Sequence, residues 1–255
     1  MARRLRPTGS FHTLGHFDVP NFGHGRRVRI YVPHDFPRDG TRPALYMFDG
    51  QNTFGDEGSF AGGWHAHAAV DRLSTRTSHV PLVVAIDNGG DKRIDELAPW
   101  KHGEIGGRAD DFLGWVVGTI VPKVQREYSL LPGAVGAVIA GSSLGGLAAL
   151  YAHFRYPETF GGALAMSPSM WLGRGAIFDY VRNQPPPYYS RVYLDGGLKE
   201  GGGRMANALG TLGDAFRHKG YRDDRLLVRV DKRGGHNEKH WRRRLPRALR
   251  FMFKR

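Results

Sequence analysis

The stretch that most constrains this chain is Ala137-Val138-Ile139-Ala140-Gly141-Ser142-Ser143-Leu144-Gly145-Gly146, continued by Leu147-Ala148-Ala149-Leu150. An apolar run ends in glycine and serine, and a small-residue apolar helix pattern follows. The sequence therefore reads strand, sharp turn, helix, with a serine at the turn, the context of a nucleophile elbow. The spacing Gly141-x-Ser143-x-Gly145 has a steric reason: a serine at a strained backbone position leaves room beside it only for residues without side chains. Ser143 is the candidate nucleophile, and Ser142 is not.

The other apolar runs predict the scaffold. Residues 10–19 and 26–32 read as two strands, the second alternating Val28, Ile30 and Val32 against Arg27, Arg29 and Tyr31. Asn21, Gly23 and Gly25 turn between them, which implies an antiparallel hairpin at a sheet edge. Residues 44–48, 82–86 and 162–166 are apolar without alternation, as strands covered on both faces require. Residues 191–194 and 226–230 are the last two strands. Helices are expected over 64–73, from 110 to 128 with a kink near Pro122, from the elbow to about 156, over 176–182, through Met205, Leu209, Leu212 and Phe216, and over 238–253. In the kinked helix, Phe112, Trp115, Val116, Thr119 and Ile120 fall on one stripe. Residues 87–107 read as a loop of about twenty residues, a length usually tied to function.

Strands separated by helices imply one α/β domain over 1–255. Its sheet is mostly parallel with about eight strands, helices on both faces and no large lid domain. Residues 1–9 read as a flexible basic tail. Ligands in such sheets sit beyond the carboxyl ends of the strands.

Composition excludes several classes. The chain has no cysteine, which rules out a disulfide framework, a thiolate metal site and a cysteine nucleophile. It has no run of eighteen apolar residues and no apolar stretch after its basic start, so neither a transmembrane segment nor a secretory signal is expected, and a cytoplasmic location is. The net charge of +13 is carried by the ends: residues 1–29 hold +5 and residues 232–255 hold +9, leaving a body near neutrality. Basic ends on a neutral body argue against a nucleic-acid reader.

A serine needs a base to take its proton and a third group to orient the base. Gly234-Gly235-His236-Asn237 follows the last strand and precedes the last helix, so His236 is the candidate base. Two carboxylates, Asp195 and Glu200, follow the preceding strand, and sequence geometry does not choose between them. The developing oxyanion needs N–H donors. One is expected from Leu144, the residue after the nucleophile, and the other from Gln51 in Asp49-Gly50-Gln51-Asn52. His65 and His67 fall on different helix faces, and His236 and His240, although spaced i, i+4, lack the glutamate at the second position of a zincin, so no metal and no cofactor is expected. Arg93 and Glu96 are expected to pair with each other, with Arg93 facing an acyl or carboxylate group as the alternative. Trp64, Trp100 and Trp171 flank strand ends and are candidates, with Arg93, for lining a substrate pocket.

These residues resemble the enterochelin-esterase and esterase-D-like family of α/β-hydrolases, which also includes feruloyl esterases and mycolyltransferases. The matching segments are 45–52, 86–89 with 93–97, 141–146, 167–171, 197–200 and 234–237 with Trp241, and their order spans most of the chain. The resemblance favours Glu200 over Asp195, because the family acid lies a few residues after a glycine, as Glu200 lies after Gly197. Leu198 stands where relatives carry Thr or Ser. The activity it implies is serine carboxylic-ester hydrolysis of a small-molecule ester through an acyl-enzyme. The alternatives are acyl transfer to a sugar or lipid hydroxyl by the same triad, and a non-catalytic module docking on polyanions or a membrane surface. Neither the acyl and alcohol parts of the substrate nor the oligomeric state is readable from these motifs.

Overall fold

The computed structural model describes residues 9–23, 25–59 and 61–253. Residues 1–8 of the expected basic tail lie outside the described residues. Gly9 is tied down: its N–H donates to the Tyr31 hydroxyl at 2.9 Å.

The chain forms strands β1 (Ser10–Asp18), β2 (Gly25–Val32), β3 (Ala44–Phe48) and β4 (Leu82–Ile86), with helix α1 (Ala66–Ser74) between the last two. Helix α2 (Arg93–Leu97), the short strands β5 (Lys101–His102) and β6 (Ile105–Gly106), and helices α3 (Ala109–Trp115) and α4 (Val121–Tyr128) follow. The second half alternates strictly: β7 (Ala137–Ser142), α5 (Leu144–Arg155), β8 (Gly162–Met166), α6 (Ala176–Asn183), β9 (Arg191–Gly197), α7 (Arg204–His218), β10 (Leu226–Asp231) and α8 (Glu238–Phe253).

Eight strands form one sheet in the order β1-β2-β4-β3-β7-β8-β9-β10. β1 and β2 pair antiparallel, β2 meets β4 antiparallel, and every later pairing is parallel. The unbroken apolar runs have the expected cause. Alternate residues of a strand point to opposite faces, and both faces are covered here. Tyr46, Val84, Ile139 and Leu194 pack beneath the layer that contains α3 to α7. Leu45, Met47, Val83, Ala140 and Tyr193 pack on the other face beneath α1 and α8. Each fully buried aliphatic side chain contributes roughly 1.5–3 kcal/mol, and no polar alternation is needed to specify a face.

Three expectations need correction. Residues 87–107 are not one loop, because α2 and the β5–β6 pair interrupt it; apolar residues too few for a periodic signal hid them. The kinked helix is joined by a five-residue π-helical turn, Val116–Ile120. Pro122 has no N–H to return to the previous turn and its ring would crowd it. The widened turn carries Thr119 out of the apolar stripe to the surface, while Ile120 stays buried. Finally, β9 runs on through Asp195-Gly196-Gly197, which pair with Arg229, Val230 and Asp231 of β10. A Cβ at Gly196 would come within 2.4 Å of Met205, so glycine there lets α7 lie close to the strand.

Candidate active site

The parallel strands β3, β7, β8, β9 and β10 end together, and the loops beyond their carboxyl ends build the site. Ser143 stands between β7 and α5 with φ +54° and ψ −120°, a region costly for a residue with a side chain. Its neighbours explain how that conformation is tolerated. A Cβ on Gly141 would lie 2.5 Å from the backbone of Gly145, and one on Gly146 would press the carbonyl of Met166 at 3.1 Å. Glycine at these positions lets α5 start directly over β7. The Ser143 N–H donates to the Met166 carbonyl at 3.0 Å, which pins the turn to β8.

His236 lies in the turn between β10 and α8, with Nε2 3.0 Å from Ser143 Oγ. Its Nδ1 is 2.8 Å from Glu200 Oε2. With a carboxylate on that side, Nδ1 carries the proton and Nε2 is left as the acceptor facing the hydroxyl. The Trp241 ring meets the imidazole edge to face at 5.1 Å and limits its rotation. Ser169 Oγ is a second partner for Ser143 Oγ, at 3.1 Å.

Glu200 is buried in the turn after β9, at the start of a short segment that continues through three glycines with positive φ. Its Oε1 accepts from Ser167 Oγ at 2.8 Å and from the Gly197 N–H at 2.6 Å. Burial pushes its pKa up, but the hydrogen bonds from His236, Ser167 and Gly197 outweigh burial and hold it below the usual carboxylate value. Behind it, Ser167 Oγ also accepts from Trp241 Nε1 at 3.0 Å and Arg244 Nη2 at 2.8 Å.

Asp195 is elsewhere. Because β9 extends past it, its side chain is 0% exposed, accepts from Tyr193 Oη at 2.9 Å, and pairs with Arg244 Nε at 3.2 Å. Burial raises its pKa to about 7 despite Arg244 and Tyr193. The structure thus brings Glu200, not Asp195, to the histidine.

Leu144 is the first residue of α5, so its N–H is one of the first-turn donors that a helix leaves without an internal partner. Gln51 lies in the short helical turn Gly50–Asn52 that follows Asp49, itself left-handed at φ +56°. This loop is clamped. Arg93 grips Asp49 with both arms, Nε to Oδ1 at 2.6 Å and Nη2 to Oδ2 at 2.7 Å, and Asn88 Nδ2 adds a bond at 2.6 Å. The Gln51 side chain is fixed in turn by Asn88, donating to its Oδ1 at 3.0 Å and accepting from its N–H at 3.1 Å.

A cavity of about 790 Å³ opens beside His236 and Glu200, walled by Met170, Trp171, Phe178 and Met205 and flanked by Arg174 and Arg204. Of the four pocket candidates, only Trp171 lines it, at 64% exposure. Trp64 is 3% exposed and packs on Trp241 at 5.8 Å, so it supports the ring behind His236 instead of facing a ligand. Trp100 packs edge-on against Tyr151 and Tyr180. Arg93 is spent on Asp49, and Glu96 pairs with the buried Arg26, so the expected Arg93–Glu96 pair does not form. Sequence reasoning gave no role to Ser167, Arg244, Asn88 or Asp49. The available signal was Ser167 closing a wholly apolar strand. Among the described residues, no group of three or more His, Asp or Glu side chains is arranged to hold a metal ion. No helix among them is long and apolar enough to cross a membrane.

Strand order and elbow define an α/β-hydrolase fold. Within that class the chain belongs to the family described as Putative esterase, whose model matches residues 20–252. It is 23% identical over 244 residues to the uncharacterized protein YbbA of Bacillus subtilis, covering 89% of this chain and 92% of that one. It is 32% identical over 152 residues to the iron(III) salmochelin esterase of Escherichia coli, covering 58% of this chain and 33% of that protein. Among solved structures it resembles the enterobactin esterase of Shigella flexneri, with a TM-score of 0.78 at 24% identity over 98% of this chain and 60% of that one. The BES protein of Bacillus cereus is similar along its length, with a TM-score of 0.74 at 19% identity over 99% of this chain and 98% of that one. The chain thus spans a third of the salmochelin esterase and about 60% of the Shigella enzyme.

Proposed function

We propose that this protein is a serine carboxylic-ester hydrolase. The observation that carries the reading is the relay from Ser143 Oγ through His236 Nε2 at 3.0 Å and Nδ1 to Glu200 at 2.8 Å. Ser143 Oγ attacks the ester carbonyl while His236 Nε2 takes its proton, and ionised Glu200 stabilises the imidazolium that results. The N–H groups of Leu144 and Gln51 hold the oxyanion of the tetrahedral intermediate. Collapse breaks the ester C–O bond, and the alcohol leaves with the proton from His236. Water then enters, gives a proton to His236 and attacks the acyl-Ser143 carbonyl. The acid departs, and the proton returns to Ser143.

The cavity supports a substrate class. Its apolar wall suits a bulky aromatic or aliphatic group, and Arg174 and Arg204 have no ion-pair partner among the described residues. We assign the substrate as an ester whose apolar body carries negative charge away from the scissile bond. Relatives named as iron(III) salmochelin and iron(III) enterobactin esterases support ester hydrolysis as the reaction.

Hydrolysis of aryl and aromatic-acyl esters and labelling by a fluorophosphonate test the reading together. Ser143→Ala abolishes both while the circular dichroism spectrum is unchanged. Retained labelling or turnover would overturn the assignment. Added alcohol acceptors that divert the acyl group from water would reassign the enzyme as a transferase.

A further inference from the structure

A second cleft lies between the edge strand β10 and helix α8, with Arg244 at its base reaching toward Glu200. This cleft, about 500 Å³, is lined by seven Lys/Arg side chains and two carboxylates. One wall carries Arg229, Lys232 and Arg233, all exposed, from β10 and the turn after it. The other carries Arg243, Arg247 and Arg250, which helical spacing places on one face of α8.

The carboxylates do not neutralise this charge. Asp231 is taken by Arg243 at 2.5 Å, and Asp195 lies buried against Arg244. Arg229, Lys232, Arg233, Arg247 and Arg250 have no ion-pair partner among the described residues. Like charges gathered at this density repel and weaken the folded state unless a counter-charge sits among them.

A second observation comes from the base of the cleft. Arg244 is 7% exposed, and its Nε and Nη1 are buried without a hydrogen-bond partner. Nε is at ion-pair distance from Asp195, 3.2 Å, and Nη1 is 3.7 Å from Glu200, neither in bonding geometry. A buried guanidinium with unsatisfied N–H groups is costly, and an anion entering from the cleft would reduce that cost. The cleft shares no lining residue with the cavity beside His236, so a substrate held in that cavity does not fill it.

We infer that the cleft between β10 and α8 binds a small polyphosphorylated anion. Guanidinium forks match phosphate oxygens two at a time, and two facing walls of cations call for a ligand with several charges close together. The concave shape and a chain body near neutrality favour a compact anion over an extended polymer.

Calorimetric titration of the full chain with inorganic triphosphate tests the site. The expected result is one-to-one binding that weakens as salt is added. Arg247→Glu with Arg250→Glu, and separately Arg229→Ala on the opposite wall, each lower the affinity, the double variant by roughly tenfold or more. Arg72→Glu with Arg76→Glu, an equal charge change on α1 and the turn after it, leaves it unaltered. Circular dichroism confirms that each variant is folded. An equal loss in the α1 variant, no saturable binding, or a single-stranded oligonucleotide that binds more tightly than triphosphate would each overturn the proposal. Because binding is read directly, the result is independent of whether Ser143 hydrolyses esters.

Discussion

The end of β9 and the turn just beyond it each bury a carboxylate, and they treat it in opposite ways. Asp195, inside the strand, faces one hydroxyl donor and a guanidinium that is close but poorly aligned, and burial pushes its pKa up to about 7. Glu200, five residues on, accepts from Ser167, the Gly197 N–H and His236, and its pKa falls below the ordinary value although burial opposes this. Deeper burial at Asp195, and aligned donors that offset burial at Glu200, therefore decide which carboxylate is ionised. Only an ionised one can hold the histidine in its working tautomer.

This contrast can be broken in three ways. The largest effect is expected from Glu200→Gln, which should lower kcat on an aryl ester by about 10³–10⁴ through loss of the imidazolium's counter-charge. Asp195→Asn should leave kcat close to the parent, and steady-state kinetics of the pair reads the difference. A large loss from Asp195→Asn alone would reverse the assignment of the acid.

Ser167→Ala removes one donor from Glu200 and the shared acceptor of Trp241 and Arg244. A fall in kcat of roughly tenfold is expected, recovered by Ser167→Thr, which keeps the hydroxyl. No fall would show that the Gly197 N–H and His236 suffice to keep Glu200 ionised.

The smallest effect concerns stability and pH. A group whose pKa is higher folded than unfolded contributes stability that is present below the unfolded value and lost as pH rises through the folded one. For Asp195 that window runs from the ordinary carboxylate range, 3.8, to about 7. Relative to Asp195→Asn, the parent should therefore lose stability between about pH 4 and 7, by an amount on the order of a few kcal/mol, and level off above. Urea unfolding at several pH values measures it. A difference constant with pH would mean that Asp195 is ionised throughout.

Much of the fold was legible because its strands are buried on both faces. Residues 44–48, 82–86 and 162–166 are unbroken apolar runs, and all three strands have the bounds those runs imply. β9 was read short because Gly196-Gly197 looks like a loop, although Gly196 lets α7 approach and Gly197 lets the backbone of Gly234 pass close to the strand. The site followed the same division. Ser143 and His236 are marked by local glycine patterns. The roles of Arg93, Ser167 and Arg244 rest on partners 44, 33 and 77 residues away along the chain, which no spacing rule connects. Trp64 looked like a pocket wall from its place near a strand end, yet Trp241, from the far end of the chain, covers it.

By itself the sequence determined what depends on neighbours in the chain. The elbow follows from glycines flanking Ser143, the covered strands from uninterrupted apolar runs, and the order of Ser143, Glu200 and His236 from the order of the elements. The tertiary structure decided which carboxylate meets His236, which tryptophan faces the cavity, and that α8 and β10 set their arginines around one cleft. Those outcomes turn on distances of a few ångströms between residues far apart in the chain. Hydrogen-bond geometry and burial act at that range, and only packing sets it.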